Sequence, residues 1–380
     1  MNRSKIDWTD YTWNPVTGCR HKCPYCYARR QSLRFSGDIR LNLMDERCRG
    51  DVVNGLFVLD QPFITRENRS ISYPFGFAPT LHEYRFDWPG QVKNGANIFV
   101  CSMADLFGDW VPQKWIDQVF ETCLKYAQHN YLFLTKNPAR VTGAIDAFTL
   151  EPKGPEAYSD SFKNFWFGAS ITSQEDIERA SEVSTLEVGH RFLSIEPLLG
   201  PVDLADHLPR RCKLCGGSMS YFANGVNFDG GGIPCPRCIE DQGIDPRGGI
   251  DWVIIGAETG RRKGKVIAKK EWVRVIVRQC HAVGVLVFMK ESLRDLMGDE
   301  FVQEFPAGLL RKEISPQLKE KLWETCKFCG TEHPKKTMIA LLYRRKRGEG
   351  AQQLAYACPD CFDNLQAAMA SDGPCEIKEV

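Results

Sequence analysis

The chain has 380 residues, of which 43% are hydrophobic and 26% charged, and this composition excludes a chain that is disordered throughout. Forty-nine basic and 48 acidic residues leave a net charge of +1, so the overall charge does not indicate a polyanionic partner, although local clusters can. The polar start MNRSKIDWTDYTW lacks a signal-peptide core, and no apolar run approaches the roughly 20 residues of a bilayer span. We therefore expect a cytoplasmic protein without membrane contact.

Six short apolar runs each end in polar or small residues and are followed by a helix-like pattern or a loop. In chain order they are NIFVCSMAD from Asn97, NYLFLTKN from Asn130, FWFGASIT from Phe165, RFLSIEPLLG from Arg191, DWVIIGAETG from Asp251 and VLVFMKES from Val285. Continuous apolar runs of this length are typical of strands that are buried on both faces.

Helix patterns lie between several of these runs. Apolar residues recur every four positions from Trp115 to Ala127, and Pro112 stands where a helix can begin. TSQE from Thr172 has the pattern of a capping box at the start of the next helix, and an amphipathic helix from Glu271 is interrupted by Gly284. The alternation predicts an α/β fold with a parallel sheet covered by helices, either open or closed into a barrel.

Chemistry in such sheets gathers at the carboxyl ends of the strands. Strand ends meet solvent in any protein, so we expect many of the polar residues there to serve only as caps or turn residues. These polar residues are Ser102, Asp105, Thr135, Lys136, Ser170, Thr172, Ser194, Glu196, Glu258, Thr259, Lys290 and Glu291.

Two kinds of segment interrupt the alternation. Residues 44–95 combine several prolines with aromatic residues, which indicates an ordered insertion or a long crossover. Residues 207–250 and 324–362 each carry two CxxC pairs.

The paired CxxC motifs predict two structural zinc sites, because a chain without a secretory signal keeps its cysteines reduced and each pair presents two thiolates to one ion. Nineteen residues separate the pairs of the first module and 28 those of the second. The alternative is a set of reduced surface thiols. The expected ligands are Cys212, Cys215, Cys235, Cys238, and Cys326, Cys329, Cys358, Cys361.

Basic residues cluster near these modules. Lys335 and Lys336, RRKR from Arg344 and RRKGK from Arg261 are dense enough to attract phosphates, although a solvated charged face is the other interpretation.

Near the start of the chain, TWNPVTGCRHKCPYCYARR from Thr12 holds Cys19, Cys23 and Cys26. A structural zinc ion would need a fourth ligand, for which His21 is a candidate. A four-iron cluster held by three thiolates would instead leave one iron open to a small molecule. The residues alone leave both interpretations open.

The spacing C-x3-C-x2-C, with Tyr25 before the last cysteine, resembles the signature of the radical S-adenosylmethionine (SAM) superfamily. Further stretches resemble the phage-associated Gp37/Gp68 family, a branch similar around its cluster to spore photoproduct lyase. These stretches are IDWTDYTWNPVTGC, CPYCYA, FVCSMADLFG, FLTKNP, FGASI, FLSIEPLLGP and WVIIGAETG, and the resemblance runs from about residue 5 to residue 295.

The resemblance implies a partial (β/α)6 TIM-like barrel in which Cys19, Cys23 and Cys26 hold a [4Fe-4S] cluster. The barrel would occupy residues 1–206 and 251–310, with an insertion near 44–95, a zinc module at 207–250 and a second one at 311–380. The residues expected to contact SAM are Ser102, Asp105, Thr135, Ser170 and Glu196, and those expected near the reaction are Cys101, Glu258 and Lys290. CSMAD stands here in place of the usual Gly-Gly-Glu at the second strand end.

Three functions follow as hypotheses. The first is a radical SAM isomerase that rearranges an aminoacyl adduct, such as a glycinyl group, on thymidine during phage DNA hypermodification, in the host cytoplasm. The second is a repair lyase like spore photoproduct lyase, with Cys101 as a hydrogen donor. The third is a nonenzymatic zinc-binding adaptor for DNA or protein. The enzymes would need DNA as a partner and an electron donor such as flavodoxin or ferredoxin.

Overall fold

The computed structural model of the chain describes residues 2–45, 49–51, 54–65, 68–149, 162–186, 188–208, 249–309, 323–325, 332–334, 339–345, 353–357 and 375–379. The chain forms two compact units, Met1–Arg311 and Lys312–Val380. All eight cysteines of the two predicted zinc modules lie outside the described residues, so zinc stays a prediction.

Fourteen strands are described in the first unit. In chain order they are β1 (Asn2–Arg3), β2 (Tyr11–Trp13), β3 (Val16–Thr17), β4 (Arg49–Asp51), β5 (Leu56–Leu59), β6 (Phe63–Ile64), β7 (Ser70–Ile71), β8 (Thr80–His82), β9 (Asn97–Val100), β10 (Asn130–Thr135), β11 (Phe165–Ile171), β12 (His190–Ile195), β13 (Trp252–Ile255) and β14 (Leu286–Met289).

Seven α-helices are described in the same unit. They are α1 (Tyr27–Arg34), α2 (Ile39–Leu43), α3 (Gln113–Lys125), α4 (Ala139–Thr149), α5 (Glu178–Ser184), α6 (Lys270–Val283) and α7 (Arg294–Met297). Among the described residues, no helix combines the length and the apolar character that crossing a bilayer would need.

The main sheet has the order β1-β2-β9-β10-β11-β12-β13-β14. The seven strands from β2 onwards are parallel, and only the edge strand β1 is antiparallel. The order follows the sequence without the reversal of a doubly wound sheet, so the fold is a partial TIM-like α/β barrel. All six apolar runs are strands, β9 to β14, which confirms that prediction. The resemblance implied six parallel strands, and seven are described in this sheet.

Helices cover one face of this sheet. Alternate strand residues such as Phe133 and Val253 share a buried core with Ile116 and Val119 of α3 and Ile276 of α6. The helix predicted after Pro112 does begin at Gln113, although it ends at Lys125, before Ala127. Gly284 ends α6 in the left-handed conformation (φ 79°), as a glycine there allows.

The capping box predicted at Thr172 is wrong. The Thr172 N–H and hydroxyl both donate to Asp176 Oδ2, at 2.9 and 2.6 Å, and Glu175 makes no such bond. A short 3₁₀ turn, Gln174–Asp176, precedes α5. In this turn the carboxylate of Asp176, and not that of Glu175, points back to the end of β11.

The opposite face of the sheet is concave and aromatic at its base. Trp8 lies 5.0 Å from the Phe99 ring of β9 and 6.2 Å from the Trp252 ring of β13. In a flat sheet these two strands would stand about 19 Å apart, four strand spacings. One side chain reaches both only because the sheet curls around it, which fills the amino-terminal half of the barrel and leaves the other half for a site.

A second sheet has the order β3-β8-β5-β4, and three of its strands, β4, β5 and β8, lie within the segment predicted to be an ordered insertion, whereas β3 precedes the cysteines. It has its own apolar cluster of Phe57, Leu59, Phe63 and Phe75. Because β3 ends at Thr17, directly before Gly18 and Cys19, this small sheet fixes the start of the cysteine-bearing loop.

In the second unit five strands are described. They are β15 (Trp323–Thr325), β16 (Glu332–Pro334), β17 (Ile339–Arg345), β18 (Gln353–Ala357) and β19 (Cys375–Glu379). The first two form an antiparallel hairpin, and the others form an antiparallel sheet with β17 in the centre.

Candidate functional site

A cavity of about 520 Å³ opens at the carboxyl ends of the parallel strands. This volume lies in the range of sites for small molecules and cofactors. Its wall combines the cysteine-bearing loop with polar residues from the strand ends, including Ser170, Ser194, Glu196 and Lys290. These four belong to the same alternating face as the aromatic residues at the base, so the barrel floor is apolar and its mouth polar.

The backbone around Gly18 sets the position of the cysteine-bearing loop. Gly18 has φ 86°, and a Cβ there would collide with the carbonyl oxygen of Ala78, so only glycine fits. Its N–H donates to the Met103 carbonyl at 2.9 Å, and the Cys19 N–H donates to the Phe77 carbonyl at 3.3 Å. The loop is therefore held on one side by the small sheet and on the other by the end of β9.

Cys19, Cys23 and Cys26 all line the cavity, and none is in a disulfide. Cys26 caps α1, because its Sγ accepts the Arg29 N–H at 3.3 Å. Burial raises the pKa of Cys19 to about 12, and nearby Asp105, Cys23 and Cys26 add repulsion. A thiolate at this position therefore needs a positive partner such as a metal.

Asp105 connects this loop to two strand ends. Its Oδ2 lies 2.7 Å from Nε2 of His21 and accepts the Lys136 N–H at 2.9 Å. Its Oδ1 accepts the Thr135 hydroxyl at 2.7 Å and the Phe107 N–H at 3.1 Å. Both carboxylate oxygens are thus occupied by protein groups, and the side chain is buried.

Two tyrosines of the loop also contact strand ends. The Lys136 ammonium donates to the Tyr25 hydroxyl at 3.1 Å, and the Tyr27 hydroxyl donates to the Ser102 carbonyl at 2.7 Å. Although the ring of Tyr27 is partly exposed, burial around its hydroxyl, followed by the nearby Glu196 carboxylate, raises the pKa of Tyr27. The loop is tied to β9 and β10 on both sides of Cys26.

Glu196, after β12, and Lys290, after β14, form an ion pair at the cavity wall. Lys290 Nζ lies 2.5 Å from Glu196 Oε1. Gly256 makes room between them, since a Cβ there would stand 2.9 Å from Cδ of Glu196. The pair places opposite charges side by side at the mouth of the barrel.

Glu258 is held differently. Both of its oxygens accept hydrogen bonds from Arg262, at 2.5 and 2.9 Å, and Oε2 also accepts the Val266 N–H at 3.0 Å. The Arg262 guanidinium is the main cause that lowers the pKa of Glu258 to about 2. The Glu258 carboxylate is therefore ionised, and its hydrogen bonds go to the loop after β13. A role of Glu258 in the reaction stays a prediction.

The other predicted residues also line the cavity. The Ser102 hydroxyl donates to Asn14 Oδ1 at 3.2 Å, and the Thr135 hydroxyl donates to Asp105. Cys101 is only 3% exposed, and burial raises the pKa of its thiol to about 12. The structure thus brings together all eleven of the predicted site residues that it describes.

Several residues of the site had no assigned role in the sequence analysis. Asn14 accepts bonds from Ser102 and from the Met103 N–H, and Lys136, Tyr27 and Gly256 have the contacts given above. Asn14 lies in TWNPVTGC, five positions before the first cysteine, and this position could have indicated that it belongs to the site. Nothing local in the sequence marks Gly256 as the neighbour of Glu196.

A protein-family model described as "Protein of unknown function (DUF5131)" matches residues 3–299. The chain belongs to this family. The match spans the described strands of the barrel and the small sheet of this DUF5131 protein. No curated protein matches its sequence.

Among solved structures, the DUF5131 protein is similar to spore photoproduct lyase. A cysteine mutant of that enzyme gives 10% identity and a TM-score of 0.35, over 97% of this chain and 74% of the other. A second mutant, with bound dinucleoside spore photoproduct, gives 10% identity and 0.34 over the same shares.

The three loop thiols of the DUF5131 protein are candidate ligands of an iron–sulfur cluster or of a metal ion. Within the described ranges, no group of three or more His, Cys, Asp or Glu side chains is arranged to hold one metal ion. His21, the candidate fourth zinc ligand, has Nε2 bonded to Asp105, so its Nδ1 is the nitrogen that a metal ion could bind. In an iron–sulfur cluster the thiolates bind separate irons, and three of them leave one iron open.

Proposed function

We propose that this protein is a radical SAM enzyme that modifies a nucleic acid base. The observation that carries the proposal is the convergence of Cys19, Cys23 and Cys26 on one cavity at the carboxyl ends of a partial barrel. That edge is where enzymes of barrel architecture hold their reacting groups. The phage Gp37/Gp68 relationship is part of the same proposal.

The three thiolates would hold a [4Fe-4S] cluster, and the cavity beside them would hold SAM. When bound, the two groups supply a 5′-deoxyadenosyl radical that abstracts hydrogen from a substrate. The protein's own contribution is positional: Asp105 holds His21, and Tyr27 holds the start of α1 against Ser102. The apolar cluster that contains Trp8 and Phe99 closes the base of the barrel.

Glu196 and Lys290 would recognise an amino acid group. An ammonium and a carboxylate on one carbon are the complement of this adjacent carboxylate and ammonium. SAM and an aminoacyl adduct on a base both carry such a group. Because both Asp105 oxygens are occupied, we assign recognition of the amino group to Glu196 rather than to Asp105.

As the specific reaction we propose isomerisation of an aminoacyl adduct on thymidine, with a glycinyl group as the simplest case, during phage DNA hypermodification. An isomerisation removes a hydrogen atom at its start and returns it at its end, so no other oxidant or reductant is consumed by the substrate. DNA would be the partner, and flavodoxin or ferredoxin would supply the electron.

Cys101 supports a second candidate, a repair lyase for a DNA photoproduct. Its thiol lines the cavity, and its raised pKa keeps it protonated at neutral pH. A protonated thiol can donate a hydrogen atom to a substrate radical. Cys280 is unsuited to this role, because it is buried in the core on α6 and does not line the cavity.

Anaerobic purification tests the proposal. We expect a brown protein with about four iron and four sulfide per chain that releases 5′-deoxyadenosine from SAM after reduction. Mass spectrometry of nucleosides from phage DNA, made with and without the gene, then separates isomerisation from lesion reversal. A colourless protein that holds zinc alone would instead support a nonenzymatic adaptor and overturn the enzyme proposal.

A further inference from the structure

Helices α1 and α2 form an exposed surface beside the cavity, which we call the α1–α2 surface and define as residues 27–44. The two helices are adjacent, because Leu33 of α1 and Ile39 of α2 both approach the same Gly76. Most of the exposed side chains of this surface are cationic or apolar, and the exceptions are Gln31 and Asp38.

The charge of the α1–α2 surface is strongly one-sided. It has four arginines and a single acidic residue, Asp38, which gives a net charge of +3 in a protein whose total is +1. Asp38 is used internally, since its Oδ1 caps α2 by accepting the N–H groups of Arg40 and Leu41. All four arginines are exposed, namely Arg29, Arg30, Arg34 and Arg40.

The surface also exposes apolar side chains. Phe35 is 52% exposed and Met44 is 81% exposed. The Arg34 guanidinium lies over the Phe35 ring at 5.4 Å. Arginine beside an exposed aromatic ring is the combination that binds phosphates and stacks on bases.

Arg30 connects this surface to the cavity. It lines the cavity together with Arg3 and Lys5, which are also exposed, and its Nη2 lies 3.7 Å from the position that a Cβ on Gly260 would take. None of these three side chains has a hydrogen bond or ion pair within the described part of the chain. Arg30 and Arg34 are one helical turn apart, about 6 Å along α1, so both guanidiniums can follow one backbone.

We propose that the α1–α2 surface binds the sugar-phosphate backbone of a single nucleic acid strand and guides one base into the cavity. The proposal rests on the function proposed above, because it takes the cavity as the place of base modification. Arg30 and Arg34 hold phosphates, and Phe35 stacks on a base next to the one that enters. A base must leave its stack to reach a cavity of this kind, and cationic and aromatic contacts offset that cost.

An acidic electron-transfer protein is the competing occupant, since it would also favour a positive surface near the cysteines. Such a protein does not enter the cavity, whereas Arg30, Arg3 and Lys5 lie on the cavity wall itself. Four arginines without a lysine also favour phosphate, because guanidinium binds it in bidentate geometry. The strand is therefore the occupant that we assign.

Binding of a fluorescein-labelled thymidine oligonucleotide of about 12 nucleotides, a length typical of such grooves, tests the assignment by anisotropy over a salt series. The double variant Arg30→Gln/Arg34→Gln should lower the slope of log K against log salt by about 1.4, since each lost phosphate contact removes about 0.7. Phe35→Ser should weaken binding about tenfold and leave the slope unchanged.

The matched control is Lys114→Gln/Arg278→Gln, which removes the same charge from exposed positions on α3 and α6 away from the cavity. It should keep the wild-type slope. Equal slopes for both double variants would overturn the assignment, as would arginine variants that bind the oligonucleotide normally and lose only reduction by flavodoxin.

Iron and sulfide are measured on the same wild-type sample, which separates the two proposals. Binding with the expected slopes by a protein that assembles no cluster would refute the radical SAM function and leave the surface assignment in place. A complete cluster in the wild type, together with unchanged oligonucleotide binding in the variants, would refute the surface assignment and leave the radical SAM function in place.

Discussion

His21 Nε2 and Asp105 Oδ2 lie 2.7 Å apart, although 84 residues separate the two in the sequence. The histidine stands between the first two cysteines of the loop, and the aspartate lies beyond the end of β9. Since Asp105 also accepts bonds from Thr135 and from the Lys136 N–H, it fixes the cysteine-bearing loop to two strands at once. Asp105 is thus a positioning residue for the thiols.

We expect Asp105→Asn to impair cluster assembly. The new amide group cannot accept the bonds that now reach one carboxylate oxygen, and a buried donor left without a partner costs about 1–3 kcal/mol. Cluster content after reconstitution and the reduction potential, read by EPR titration, would both change. Thr135→Ser is the control, because it keeps the hydroxyl that donates to Asp105. An unaltered potential and full iron content in Asp105→Asn would contradict the positioning role.

Alanine at Cys19, Cys23 or Cys26 should remove iron from the protein and abolish SAM cleavage, since each thiolate would hold one iron of the proposed cluster. The far-ultraviolet circular dichroism should stay that of the wild type, because the loop carries little of the buried core. The control is Cys280→Ala, which removes a buried thiol outside the cavity. Normal 5′-deoxyadenosine release by any of the three loop variants would refute the assignment.

Gly256→Ala should break the Glu196–Lys290 ion pair. The added Cβ would stand 2.9 Å from Cδ of Glu196, so the flexible Glu196 side chain must move away from its present position beside Lys290. Chemical denaturation measures the effect on stability, and calorimetry of SAM binding measures the effect on the site. Gly143→Ala on α4 is the control: it meets no atom within 4 Å and should stabilise the protein by about 0.5–1 kcal/mol. Equal effects of the two changes would be inconsistent with close packing at Gly256.

The Glu258–Arg262 pair should contribute to the pH dependence of stability. The pKa of Glu258 is lowered from 4.5 to about 2 in the folded protein, so its contribution is present above pH 4.5 and is lost as the pH falls towards 2. Glu258→Gln should therefore flatten the curve of unfolding free energy against pH in that interval. Glu175→Gln, at an exposed carboxylate, serves as the control. A curve for Glu258→Gln that coincides with the wild-type curve below pH 4.5 would rule out this contribution.

Much of the barrel was predictable from sequence. Parallel strands buried on both faces require continuous apolar residues, which is why all six apolar runs are strands, and Gly284 marked the end of α6. Even the polar side of the cavity was encoded: Ser194 and Glu196 follow Phe192 at intervals of two, and alternate residues of a strand share a face.

The details of the insertion were less accessible. Strands β4 to β8 are two to four residues long, too short to give a periodic pattern, and their pairing joins distant parts of the chain. The error at Thr172 has a similar origin, since Asp176 and Glu175 are both acidic and only the backbone path decides which one turns back to the strand end.

The sequence by itself determined which segments form the parallel strands, which polar residues follow each strand, and the spacing of the three cysteines. These features depend on local periodicity and on neighbours within a few residues. Only the tertiary structure decided that His21 bonds to Asp105, that Glu196 pairs with Lys290 and that Trp8 touches both β9 and β13. Each of these contacts joins residues scores of positions apart, and the curl of the sheet, to which every strand contributes, brings them together.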